Sequence, residues 1–90
     1  MDKEYKHEFK KQAEKYIEKL DKPTQKRIIE GIEKLPLQGD IKLLHGYKEK
    51  LYRLRIGGYR IIFNMTETLK DKKLIVLVIV QTVDTRGDSY

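Results

Sequence analysis

The sequence predicts a small α+β protein in which two N-terminal helices pack on one face of a small, mainly antiparallel, four-stranded sheet. Two observations support this prediction. Apolar residues recur at helical spacing over the first 35 positions, whereas later segments alternate apolar with charged residues or are apolar throughout, which is typical of strands. A chain of 90 residues has the size of one domain with a modest core, so we expect a single domain over residues 1–90.

The N-terminal part is predicted to contain a strand and a helical hairpin. Residues 5–9 form a short first strand, and the first helix follows it directly. Asp21 and Pro23 fit the N-cap and the first turn of a second helix, which stops at Pro36. The apolar stripes of the two helices are formed by Phe9, Ala13, Tyr16, Ile17 and Leu20, and by Ile28, Ile29, Ile32 and Leu35.

Later segments are assigned from their composition. Residues 37–46 are predicted to be a connecting loop, and residues 66–71 a polar turn. Residues 73–80 are apolar at nearly every position, which is typical of a strand buried on both faces, so we expect this strand at the centre of the sheet. The polar tail of residues 83–90 follows that strand past its end.

The most informative segment is residues 51–63, which is predicted to be a hairpin closed by two glycines at positions 57 and 58. Strand alternation makes one face of this hairpin apolar and places Arg53, Arg55 and Arg60 on the other. The expected cross-strand pairs are Ile56 with Tyr59, Arg55 with Arg60, Leu54 with Ile61, Arg53 with Ile62, and Tyr52 with Phe63.

The opposed arginines predict a bound anion. Like charges directly opposite each other in a sheet cost roughly 0.2–1 kcal/mol, so we expect an anion between Arg55 and Arg60. Phosphate is the expected anion, because the guanidinium group offers a planar fork of donors that matches phosphate oxygens.

The charge distribution also favours a polyanionic partner. The formal net charge is +6, with ten Lys/Arg and nine Asp/Glu in residues 1–40 but ten Lys/Arg and five Asp/Glu in residues 41–90. A positive field concentrated in the second half points to nucleic acid or another polyanion. A basic surface that serves only solubility is the alternative on charge alone.

Composition excludes several other classes of protein. The chain has no cysteine, which removes disulfides, thiol nucleophiles and thiolate metal sites. The longest apolar run, residues 74–80, is far shorter than the about 20 residues that span a bilayer, and no signal-peptide pattern is present. We therefore expect a soluble, cytoplasmic protein without a membrane partner.

Several segments occur together in one order along the chain. A helical hairpin ending in Glu33-Lys-Leu-Pro36 precedes Leu44-His-Gly46, then the arginine hairpin Tyr52-Arg-Leu-Arg-Ile-Gly-Gly-Tyr-Arg60, and finally a terminal Arg86 and Tyr90. In this combination the chain resembles the RelE/ParE superfamily of bacterial toxins from toxin-antitoxin pairs over nearly its whole length. The resemblance implies the RelE-like fold and a cognate antitoxin protein as partner.

The resemblance also implies two alternative targets. RelE-like members cleave translated messenger RNA in the ribosomal A site and so inhibit translation, whereas ParE-like members poison DNA gyrase. An arginine followed by a C-terminal tyrosine resembles the RelE-like branch, which makes messenger RNA and the ribosome the expected partners. By position, the functional residues of that branch correspond to Arg53, Arg55, Arg60, Arg86 and Tyr90.

The resemblance assigns these five residues to metal-free cleavage of RNA. In that reaction the ribose 2′-OH attacks the adjacent phosphate and leaves a cyclic phosphate. Arginines can stabilise the charge of the phosphorane, but a pKa above about 12 suits them poorly to proton transfer. A tyrosine, with an ordinary pKa of about 10, is nearer, so Tyr90 is assigned either to proton transfer or to stacking on a base. Many relatives have a histidine where this chain has Thr85.

Two lysines extend the predicted site. Lys48 and Lys50 are expected to contact RNA phosphates and to add affinity without selectivity, or else to be merely solvated. The sequence shows no glycine-rich phosphate loop and no cluster of His, Asp and Glu at metal-ligand spacing, so we expect no cofactor and no metal. Two alternatives to the endoribonuclease stay open: a gyrase inhibitor without nuclease activity, and an inactive relative that only binds RNA or ribosomes.

Overall fold

Two helices and five strands are present in the computed structural model, which describes residues 2–85. The α+β class is as predicted. The elements in chain order are β1 (Asp2–Phe9), α1 (Lys11–Glu18), α2 (Lys22–Glu33), β2 (Asp40–Leu44), β3 (Leu51–Ile56), β4 (Tyr59–Lys70) and β5 (Lys73–Thr85).

The sheet differs from the predicted one in strand number and direction. Its order is β1-β5-β4-β3-β2, with β1 parallel to β5 and the other neighbours antiparallel, so the prediction of a four-stranded, mainly antiparallel sheet is wrong. The additional strand is β2, which lies within residues 37–46, the predicted loop. It is a five-residue edge strand whose backbone pairs with β3, and its own apolar pattern is too short to signal a strand.

The long β4–β5 hairpin corrects two further predictions. The predicted polar turn at residues 66–71 is mostly strand, because β4 continues to Lys70 and the turn consists of Asp71 and Lys72, with φ of 52° and 65°. In β4, β3 pairs only with residues 59–63, so the edge of residues 64–70 on that side is left to solvent. This exposure explains why residues 66–70 are mostly polar. The strand at residues 73–80 is interior, but β4 and not β5 is the middle strand.

The helical hairpin forms as predicted and supplies part of the core. Asp21 caps α2 by accepting a hydrogen bond from the Thr24 backbone N–H at 3.4 Å. The buried core residues of the two layers are Ala13, Ile17, Ile28, Ile32, Leu35, Leu54, Ile61, Phe63, Val78, Val80 and Val83. Burial of these apolar side chains fixes the sheet face that the helices cover.

The arginine hairpin has the predicted register. Residues 52–56 pair with residues 59–63 as expected, including Arg55 opposite Arg60. Gly57 takes a positive φ of 55° in the turn, a conformation that glycine adopts without strain. Leu54 and Ile61 are buried under the helices, so alternation places the three arginines on the opposite face of the sheet, hereafter the open face.

Candidate functional site

A concave region on the open face gathers the arginines. It encloses about 450 Å³. We call this concave region the arginine basin. Its walls are formed by Lys42, Leu44, Tyr47, Leu51, Arg53, Arg55, Arg60 and Ile62. Strands β2, β3 and β4 all contribute, so the basin depends on the antiparallel pairing of three neighbouring strands.

Cross-strand register arranges the charges of the basin in rows. One row runs across four strands as Asp40, Arg55, Arg60 and Asp84, because each residue is paired directly with the next. Strand pairing keeps such side chains on one face within about 4.5–5.5 Å at their Cβ atoms. The opposed arginines are therefore flanked by a carboxylate at each end of the row.

The two carboxylates bind arginines of the site. Asp84 accepts hydrogen bonds from Nε and Nη2 of Arg60, each at 3.1 Å, in a bidentate ion pair. Asp40 accepts one from Nη2 of Arg53 at 3.3 Å, diagonally across the β2–β3 pair. The sequence predicts an anion between Arg55 and Arg60; the described anions are these carboxylates, and the phosphate stays a prediction.

Two guanidinium nitrogens are buried without partners. The Nε atoms of Arg53 and Arg55 are inaccessible to solvent and have no hydrogen-bond partner among residues 2–85. The Arg53 side chain is only 11% exposed. A buried donor left unpaired costs about 1–3 kcal/mol of stability. Because both nitrogens are inaccessible, a ligand in the basin would meet other atoms of these arginines.

The structure brings together some of the sequence-predicted residues and not others. Arg53, Arg55 and Arg60 line one basin. Lys48 and Lys50 are exposed in the β2–β3 loop and are not part of the basin wall. The predicted Arg86 and Tyr90 lie outside the described residues.

Four functional candidates were missed by sequence reasoning: Lys42, Tyr47, Asp40 and Asp84. Lys42 pairs directly with Arg53, and it would have been found had residues 40–44 been predicted as a strand. Asp84 pairs with Arg60 through the β4–β5 register, which a bulge between Ile62 and Phe63 shifts by one residue. We recognise no pattern in the sequence that predicts this one-residue shift of the β4–β5 register.

The chemistry available in the basin is binding of anions. Lysine and arginine donors outnumber the two carboxylates, and the guanidinium forks match phosphate oxygens. Across residues 2–85 there is no group of three or more His, Asp or Glu side chains placed to share a metal ion. Nor does this part of the chain contain a helix both long and apolar enough to cross a membrane.

Comparison with known protein families gives one match. Residues 7–84, which include both helices and the whole arginine basin, match the family described as ParE toxin of type II toxin-antitoxin system, parDE. Comparisons with curated proteins and with solved structures gave no match.

Proposed function

The chain belongs to the ParE toxin family of type II toxin-antitoxin systems, and we propose, from its arginine basin rather than from the family, that this toxin is an endoribonuclease that cleaves translated messenger RNA. The observation that carries the proposal is the arginine basin, in which Arg53, Arg55 and Arg60 line one concave region. A phosphate of the RNA backbone has the charge and the oxygens to pair with these guanidinium groups. Both helices pack on the other face of the sheet, so within residues 2–85 neither helix covers the basin, as a polymeric substrate requires.

In the proposed reaction, the 2′-oxygen of one ribose forms a bond to the adjacent phosphorus and the bond from phosphorus to the 5′-oxygen breaks. The proton of the 2′-OH passes to a base, and a proton from an acid reaches the leaving 5′-oxygen. The products are a 2′,3′-cyclic phosphate and a 5′-OH end. Arg53, Arg55, Arg60 and Arg86 are proposed to hold the phosphate and its added negative charge, with Tyr90 assisting in proton transfer or by stacking.

The carboxylates have a defined part in this proposal. A bidentate pair fixes the plane of a guanidinium group, so Asp84 presents Arg60 to the basin in one orientation. Asp40 restrains Arg53 by a single contact and is more exposed, at 61% of its side chain. Asp84 is therefore assigned as a positioning residue for Arg60, and Asp40 as a weaker restraint.

The family also implies a cognate antitoxin as partner. We expect the antitoxin to neutralise the toxin by covering the arginine basin, with acidic side chains placed where the RNA phosphate would lie. Lys42 and Arg55, for which no ion pair is described, are the natural contacts for such side chains.

A second candidate function is inhibition of DNA gyrase without nuclease activity. Two observations favour it: the family description names the parDE system, and two basin arginines are already paired with carboxylates of the same chain. In that case the basin would be a protein-binding surface, and its arginines would act through charge complementarity rather than on a scissile phosphate.

The test is a map of messenger RNA 5′ ends after brief expression of the toxin without its antitoxin. It compares wild type with Arg60→Ala, with a chain lacking Tyr90 and with Arg27→Ala, a matched arginine variant on the exposed side of α2. New ends within translated regions, absent in the first two variants and present in Arg27→Ala, are expected. Growth arrest with DNA breaks and no new RNA ends would instead support the gyrase inhibitor.

A further inference from the structure

The open face of β4 continues beyond the basin without a negative charge. Alternation from Arg60 places residues 62, 64, 66, 68 and 70 on the open face, and these are Ile62, Asn64, Thr66, Thr68 and Lys70. The only carboxylate of β4, Glu67, falls on the other face. A polyanion leaving the basin along β4 thus meets neutral hydrogen-bonding groups and then a lysine.

The edge strand β1, which pairs in parallel with β5, offers no such path. On β1, the register with β5 places Asp2, Glu4 and Glu8 on the open face, where Lys6 is the only cation. Lys73 of β5 lies opposite Asp2 on the same face, so three carboxylates against two lysines leave this edge with a net negative charge that repels phosphate groups. Charge therefore directs a polyanion along β4 and away from β1.

A pair of side-chain amides lies on this path. The bulge opposite Ile62 and Phe63 inserts Gln81 into β5, and its Nε2 donates a hydrogen bond to Oδ1 of Asn64. Bulges re-aim side chains and are enriched beside active sites. At a rise of about 3.4 Å per residue, Asn64 lies roughly 14 Å along β4 from Arg60, within reach of a nearby nucleotide of a bound strand.

The amide pair retains hydrogen-bonding capacity. The N–H donors of Asn64 Nδ2 and the Gln81 Oε1 acceptor have no described partner among residues 2–85. The two half-buried apolar side chains of Ile62 and Ile79 lie beside the pair on the same face. An adjacent donor and acceptor next to an apolar surface match the edge and the flat face of a nucleobase.

From these contacts we propose a nucleobase-binding subsite at Asn64 and Gln81, on an RNA strand that leaves the arginine basin along β4 toward Lys70. The inference rests on the proposed function, since it requires RNA in the basin. Adenine is the base that we assign to the subsite, because hydrogen bonds to its N6 and N7 are the base contact that Asn and Gln amides typically make. Single-stranded RNA exposes these base edges to proteins.

The subsite is tested with the full chain and short single-stranded oligoadenylate and oligouridylate as probes. Wild type should bind oligoadenylate more tightly, by roughly tenfold for one pair of base contacts. Asn64→Leu and Gln81→Met, each close in volume to the native residue, should lose this preference and keep the salt dependence of binding. Gln38→Met, an exposed substitution in the loop before β2, is the matched control and should keep both.

A second measurement uses wild type alone and does not depend on the folding of a variant. The side-chain amide NMR signals of Asn64 and Gln81 should shift with oligoadenylate and much less with oligouridylate. Salt-dependent RNA binding without any base preference, or a preference retained in both folded variants, would overturn the subsite and leave the proposed function intact. If wild type binds no RNA at all, the subsite and the proposed function both fail.

Discussion

Arg60 and Asp84 face each other across the β4–β5 pair, and their side chains are joined by two hydrogen bonds of 3.1 Å. This ion pair lies at the edge of the arginine basin, because Arg60 forms part of the basin wall. About 40% of the Arg60 side chain and 45% of Asp84 is exposed, so water weakens the attraction and its contribution to stability is small. We propose instead that the ion pair orients the guanidinium group of Arg60 for contact with an RNA phosphate.

We expect Asp84→Asn to separate affinity from cleavage. The change removes a negative charge from the basin edge, so RNA binding at low salt should strengthen, while the loss of the bidentate contact should lower the rate of cleavage. The free energy of unfolding should change by less than about 1 kcal/mol. Equilibrium binding and single-turnover cleavage of the same RNA measure the two effects.

The control for this experiment is Asp71→Asn, at the β4–β5 turn. Asp71 has a φ of 52°, a conformation that asparagine also tolerates. It follows the last residue of β4, whereas Arg60 lies near the first residue of that strand. This variant should bind and cleave as wild type does. Cleavage at the wild-type rate by Asp84→Asn would show that the ion pair has no positioning role.

Arg55 has no described ion pair, and its substitution should therefore act on RNA binding with little effect on the fold. For Arg55→Gln we expect the slope of log affinity against log salt to decrease by about 0.7, the value for one phosphate contact on a single strand. The matched variant Arg27→Gln, on α2, should leave the slope unchanged. Equal slopes for all three proteins would mean that Arg55 does not contact phosphate.

Gly39 is required by the backbone at the start of β2. It has a φ of 126°, and an added Cβ would lie 2.6 Å from Cδ1 of the buried Leu54. We expect Gly39→Ala to lower the free energy of unfolding, on the order of 1–3 kcal/mol, because such a conformation strains any residue with a side chain. Urea unfolding measures the loss.

Gly58→Ala is the control for the backbone argument. An added Cβ at Gly58 meets nothing within 4 Å, and its φ is not positive. Its stability should stay within about 0.5 kcal/mol of wild type. A Gly39→Ala protein as stable as Gly58→Ala would contradict the strain assigned to the start of β2.

The N-cap residue of α2, Asp21, should make the stability of the fold depend on pH. The hydrogen bond from Thr24 lowers the pKa of Asp21 below its ordinary value. Because the pKa is lower in the folded chain than in the unfolded chain, the ionised cap stabilises the fold above the ordinary carboxyl pKa. This stabilisation is lost as the pH falls through the folded-state pKa.

Thermal unfolding across pH tests the cap. Asp21→Ala should have a lower Tm than wild type at neutral pH, and the difference should shrink below about pH 4. Asp21→Asn keeps a side-chain acceptor for Thr24 and should lose less. A difference in Tm that is constant with pH would exclude the proposed contribution of the carboxylate.

The hairpin register could be predicted from sequence because local features determine it. Two glycines define the turn, and alternation then assigns Arg53, Arg55 and Arg60 to one face and Leu54 and Ile61 to the other. The Asp21 cap and the apolar stripes of both helices are equally local signals. These features sufficed to predict three side chains of the arginine basin.

The parts that sequence reasoning missed depend on contacts between distant segments. The five residues of β2 become a strand because β3 lies beside them, and β1 pairs in parallel with a strand that follows it by about 70 positions. The pairing of Arg60 with Asp84 depends on a one-residue bulge in the β4–β5 register. No periodicity within a single segment encodes such relationships.

The most direct test of the central claim uses purified ribosomes carrying a defined messenger RNA with one codon in the A site. Wild type and Arg27→Gln should cut this message and leave a 2′,3′-cyclic phosphate and a 5′-OH end, while folded Arg55→Gln and Arg60→Ala should cut it far more slowly. An intact message with wild type, together with inhibition of supercoiling by purified DNA gyrase, would contradict the endoribonuclease and assign the arginine basin to a protein target.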